Sequence, residues 1–149
     1  MAYVVTNKNY SLTFISKDLE QASFQYGGLG IYLNGHAGYV IEISDADFIA
    51  LQTSQKEYAH NGTSMVLTDQ TVVPYANETD LKFYIDSVTK TLNTVINKHS
   101  DNSYKAECVA YKSLLENLDT STITYPLNKS LEKHLYDLGH PILSPLQLL

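Results

Sequence analysis

The sequence contains no arginine and no tryptophan, one cysteine, four prolines, and no apolar run long enough to cross a bilayer. Each shortage removes a class of protein. Arginine is the side chain that forks onto phosphate, carboxylate and guanine, and here all ten basic residues are lysine in a chain of net charge −6. A nucleic-acid surface must neutralise backbone phosphates, so no nucleic-acid partner is expected. Cys108 alone cannot form an intrachain disulfide. The histidines at 36, 60, 99, 134 and 140 lack paired spacings such as H-E-x-x-H, so neither a zinc site nor another cofactor is expected. A membrane span needs roughly 20 apolar residues. The start, MAYVVTNKNYSLTF, lacks the basic-then-apolar order of a secretory signal, so the expectation is a protein with no membrane partner, made in a reducing cytosol and not secreted through a signal peptide.

What is abundant is tyrosine, with twelve against four phenylalanines. A tyrosine ring buries a large area while its hydroxyl keeps a polar handle, which suits sheet faces and protein interfaces. At 149 residues and 44% hydrophobic content the chain can hold a core without disulfides or metals.

The pattern changes near residue 76. Before it, YVVT (3–6) and YSLTFI (10–15) flank Asn7-Lys8-Asn9 and read as a hairpin. LGIYL (29–33) and HAGYVIEI (36–43) flank Asn34-Gly35, a dipeptide that tolerates positive φ, and read as a second. Residues 43–60 carry helix signals: Ser44 as N-cap, Asp47 three residues later, and Phe48, Leu51 and Tyr58 near one face before Asn61-Gly62. SMVLT (64–68) and TVVPY (71–75) around Asp69-Gln70 read as a short strand pair.

From Asn77 the apolar spacing becomes helical, with Leu81, Tyr84, Ile85, Val88, Leu92, Val95, Ile96 and His99 forming a continuous stripe. Asp101-Asn102-Ser103 interrupts it, and Tyr104, Cys108, Tyr111, Leu115 and Leu118 restart it, which predicts an antiparallel helix pair. A third helix after Pro126 carries Leu127, Leu131, Leu135 and Leu138 and ends at Gly139. The tail HPILSPLQLL has prolines that exclude a regular helix, so it docks extended, on its own fold or on another subunit. The expected fold is α+β: antiparallel β-hairpins and one short helix in a lobe of residues 1–76, then three amphipathic helices and an extended tail in residues 77–149, as two lobes or one compact domain.

The glycine-rich stretch YGGLGIYLNGHAG (26–38) comes closest to a catalytic motif. A phosphate loop needs a lysine and a hydroxyl after the last glycine, and His36-Ala37 stand there instead. A dinucleotide fingerprint needs glycine where Leu33 lies. Turn chemistry accounts for these glycines, with tyrosines packed beside them. Cys108 lies in an apolar stripe and reads as a core residue, while Asp45 and Asp47 suit the first turn of a helix. No residue is therefore assigned a catalytic role. His134 and His140 could approach each other around Gly139.

Taken together, YVIEISDADFIAL (39–51), the turn and strand pattern NGTSMVLTDQTVV (61–73), and the long helix from Asn77 resemble the element order of phage tail-fibre assembly chaperones and related small phage accessory proteins. The segment from Ser100 onward departs from that order. The resemblance implies a non-enzymatic protein that binds another phage polypeptide, or itself, in the host cytoplasm during assembly or in the virion. Tyr32, Tyr39, Leu143, Leu146 and Leu148 are the partner-contact candidates on this reading. Two alternatives stand beside it: a virion structural component of tail, baseplate or neck, and a small ligand-binding domain or enzyme with a pocket at the glycine-rich hairpin.

Overall fold

A computed structural model of the chain describes residues 1–6, 11–19, 39–60, 65–71, 73–99 and 101–148. The fold is α+β, as the sequence pattern predicts, and it divides into two compact units, Met1–Thr71 and Val72–Leu149.

In the first unit, β1 (Ala2–Thr6) is the middle strand of an antiparallel sheet of order β2-β1-β3, with β2 at Leu12–Ser16 and β3 at Tyr39–Ile43. Four of the five β1 residues are fully buried, so this central strand is covered on both faces. One face joins Val5 to Phe14, with Tyr3 and Val40 packed against them. The first expected hairpin is therefore present. The second is represented only by Tyr39–Ile43, which pairs with β1; its other strand and its Asn34-Gly35 turn lie outside the described residues.

Helix α1 (Asp45–Gln52) starts where the sequence places it, with the Ser44 hydroxyl accepting from the Asp47 amide at 3.1 Å. It contacts β1 and buries Phe48 and Leu51. It does not run to residue 60. The amide of Ser54 donates to the Leu51 carbonyl and that of Gln55 to the Ala50 carbonyl, with Ser54 at φ 59°, a left-handed helix stop made without glycine. The Thr53 hydroxyl reinforces the stop by donating to the Ile49 carbonyl at 2.7 Å.

Beyond this stop, β4 (Lys56–His60) and β5 (Met65–Asp69) form an antiparallel two-stranded sheet in which Tyr58 faces Leu67 and Lys56 faces Asp69. This corrects two expectations together. Tyr58 lies in a strand and not on a helix face, and the partner of the 65–69 strand is the segment before it and not residues 71–75.

The second unit is helical. Asn77 caps α2 (Glu78–Lys98) by accepting from the Asp80 amide at 3.0 Å. Asp101 caps α3 (Asn102–Glu116) by accepting from the Ser103 and Tyr104 amides. The two helices pack on each other through the stripes read from the sequence, Leu81, Val88, Leu92 and Val95 meeting Tyr104, Cys108, Tyr111 and Leu115 in one apolar core. At their junction the rings of His99 and Tyr104 lie 4.5 Å apart.

The last helix, α4 (Leu131–Asp137), begins later than Pro126 suggests, because Ser130 and not Pro126 sets its start: the Ser130 hydroxyl accepts from the Lys133 amide. Leu127 stays outside the helix, its backbone paired with that of Tyr75. Leu138 lies past the last helical turn and is exposed, which removes it from the expected apolar face. Gly139 takes φ 83° and completes the predicted ending, with its amide on the Tyr136 carbonyl and that of His140 on the Leu135 carbonyl. The tail then docks on the same core through Leu143 and Leu148, turning once at Pro145–Gln147.

Candidate functional site

Among the described residues of the helical unit, one ionisable acid is buried in the core. Glu132, in the first turn of α4, is 1% exposed. It is carried inward because it shares a face with Leu131 and Leu135, both fully buried. Three tyrosines from three other segments surround it: Tyr75 from the strand-like connector before α2, Tyr84 from α2 and Tyr111 from α3.

The contacts are specific. The Tyr84 hydroxyl donates to Glu132 Oε1. The rings of Tyr75 and Tyr84 are 5.7 Å apart and tilted by 39°, a separation at which aromatic pairs attract. The Tyr111 hydroxyl is buried and has no hydrogen-bond partner among the described residues. At the start of α4 the Leu131 backbone favours the ionised form of Tyr75, and the Glu132 backbone that of its own carboxyl. The Ser130 hydroxyl supplies a partner for the Lys133 amide, one of those that a helix start leaves unpaired.

Electrostatics follows from that burial. Loss of water pushes the Glu132 carboxyl above its ordinary range, and the Tyr84 hydroxyl and its own amide only partly pull it back. The same desolvation, with the carboxylate nearby, pushes Tyr75 up to about 12 and raises Tyr84 and Tyr111 further. All three phenols therefore stay protonated at neutral pH. Among the described residues no lysine or histidine pairs with Glu132; the ion pairs of α4 are Lys133 and Lys129 with Asp137 on its outer side. The arrangement can hold or release a proton at the carboxyl, but a group this deeply buried does not meet a substrate.

The residues singled out from the sequence fall elsewhere. Tyr32 and His36, with the whole glycine-rich stretch as far as Gly38, lie outside the described residues. Tyr39 is half-buried in β3, opposite Thr6. Leu143 and Leu148 are 6% and 5% exposed and belong to the unit's own core, while Leu146 is half-buried in the final turn. Of the two placements left open for the tail, the chain takes docking on its own fold, so Leu143 and Leu148 present no side chain to a partner in this conformation.

Cys108 is fully buried and free, and burial pushes its thiol up, which suits a core residue. Burial, then Lys129, depress His134, Asp137 opposes them, and His140 adds a smaller lowering. No group of three or more His, Cys, Asp or Glu side chains able to hold a metal occurs among the described residues.

Sequence reading missed the carboxyl–tyrosine cluster. Tyr84 and Tyr111 were legible as members of apolar stripes, but an acid in a first helical turn ordinarily faces water and the dipole. The available signal was Glu132 between Leu131 and Leu135, with little helix surface left for it outside the core.

No protein-family model, curated protein or solved structure matches the chain.

Proposed function

We propose that the chain is a non-enzymatic interaction protein of the phage-assembly kind, similar in role to tail-fibre assembly chaperones, which binds another phage polypeptide through its helical unit. The observation that carries this reading is where the large exposed apolar residues fall. Phe83 in α2 is 73% exposed, and Val73, Tyr136 and Leu138 are exposed with it. Single exposed apolar residues are common. These four, however, lie on three of the four segments that the buried cluster ties together: Val73 precedes Tyr75 by two residues, Phe83 adjoins Tyr84, and Tyr136 and Leu138 follow Glu132 in and just after α4, while Val109 on the fourth, α3, is exposed as well. An aromatic anchor on a rigid helix is the kind of residue that concentrates binding energy at protein interfaces.

The contact set therefore moves from the tail leucines to Phe83 and its neighbours, with the tail serving the core. On this reading the protein acts in the host cytoplasm during assembly. The test is co-expression with a phage tail-fibre polypeptide, measuring soluble fibre with the wild-type chain, with Phe83→Asp, and without either. Wild type should raise the soluble yield several-fold, and Phe83→Asp should lose that gain while keeping its own helical circular dichroism and urea midpoint. Equal yields in all three arms would sink the reading, and recovery of the chain in purified particles would favour a virion component instead.

A further inference from the structure

Four segments of the helical unit each send one polar side chain to the same interior point: Tyr75 from the connector, Tyr84 from α2, Tyr111 from α3 and Glu132 from α4. We propose that this cluster is a proton-operated latch: neutral Glu132 holds α4 and the tail against α2 and α3, and ionised Glu132 loosens them.

The geometry supplies the reason. A carboxylate in a core must be met by a cation or by several donors, or the loss of water disfavours its charge. Glu132 is buried to 1% exposure, no cationic side chain lies within ion-pair distance among the described residues, and one hydroxyl, that of Tyr84, donates to it. Its position in the first turn of α4 favours the anion through its own amide and the helix dipole. Desolvation outweighs both, since the carboxyl sits above its ordinary value of 4.5. The neighbours do not titrate in its place, because all three phenols are pushed upward.

What the latch controls follows from the packing around it. Leu131 and Leu135 of α4 share one core with Leu143 and Leu148 of the tail. When Glu132 gives its proton to bulk solvent, the buried charge is relieved by moving α4 toward water, and that movement withdraws the surface on which the tail rests. The consequence for stability has a definite sign. A carboxyl whose folded value lies above its unfolded one stabilises the fold fully below 4.5 and loses that contribution as pH rises through the raised value. An ordinary salt-bridged carboxylate behaves in the opposite way. The latch goes beyond the interaction role and does not depend on a partner.

The test compares urea midpoints of the wild-type chain and Glu132→Gln from about pH 5 to about pH 9. Glutamine keeps the size of the side chain and accepts from Tyr84 without carrying a charge. The wild-type midpoint should fall with rising pH relative to that of Glu132→Gln, and amide exchange in residues 131–148, corrected for intrinsic rates, should accelerate over the same interval in the wild type alone. Parallel midpoint curves across the range would overturn the proposal. Should Glu132→Gln not fold, the side-chain carboxyl carbon of Glu132 is followed by NMR in the labelled wild type: titration above the ordinary range supports the latch, and titration within or below it overturns it.

Discussion

The hydroxyl of Tyr104, in α3, donates a hydrogen bond to the backbone carbonyl of Gln147, in the tail. The contact joins residues 43 positions apart and fixes the final turn over the helix pair. Ser144 and Gln147 close the same turn by a reciprocal capping box. The tail is thus built into the helical unit by polar and apolar contacts together.

Shortening the buried tail leucines should therefore cost stability. Leu143→Ala and Leu148→Ala are each expected to lower the unfolding free energy by about 2–4 kcal/mol, the range for emptying a leucine site in a core. Leu146→Ala, at a half-buried position, should cost less than about 1.5 kcal/mol. Urea denaturation of the three variants checks the order, and equal effects would contradict the placement of the tail.

Tyr111→Phe should leave stability unchanged or raise it by about 1 kcal/mol, because it removes a buried hydroxyl for which the described residues provide no partner. Tyr84→Phe should do the reverse. It removes the hydroxyl that meets Glu132, and a loss of about 1–3 kcal/mol is expected where one partner of a buried polar contact is deleted. Thermal or urea unfolding of the pair at one pH distinguishes them.

Two helices end in the same backbone motif with different residues at its left-handed position, Ser54 at φ 59° after α1 and Gly139 at φ 83° after α4. A side chain there costs roughly 1 kcal/mol relative to glycine. Ser54→Gly should accordingly stabilise the first unit by up to about 1 kcal/mol, and Gly139→Ala should destabilise the second by about 1 kcal/mol. Space is not the obstacle at Gly139, since an added Cβ meets nothing within 4 Å. The cost there is conformational, and unfolding monitored separately for each unit measures it.

These endings also explain what was legible in the sequence. Gly139 announces its stop because glycine is the usual residue at that position, while Ser54 gives no such signal, so the sequence pattern extends the first helix eight residues past its end at Gln52. Lys56-Glu57-Tyr58-Ala59-His60 lacks the apolar alternation of a half-buried strand. Its partner strand was consequently paired with the segment after it, although Asn61-Gly62 carried the same turn signal as Asn34-Gly35. The α2 and α3 stripes were plain because long runs of 3-and-4 spacing have one solution. The cluster was not, because it gathers residues from four separate segments and inverts the usual place of an acid in a first turn. Periodicity along one helix carries no information about which polar groups a neighbouring helix will bring.

The separation along the chain has a kinetic consequence. Tyr84 and Glu132 are 48 residues apart, whereas the α2–α3 hairpin closes across a short turn. Local contacts form early and long loops close late, so the helix pair is expected to assemble with the Tyr84 and Tyr111 hydroxyls still hydrated. Arrival of α4 then dehydrates them. Changes at Leu92 or Cys108 should slow folding, while changes at Glu132 should chiefly hasten unfolding. The buried acid sets how long the finished structure lasts more than how quickly it is reached.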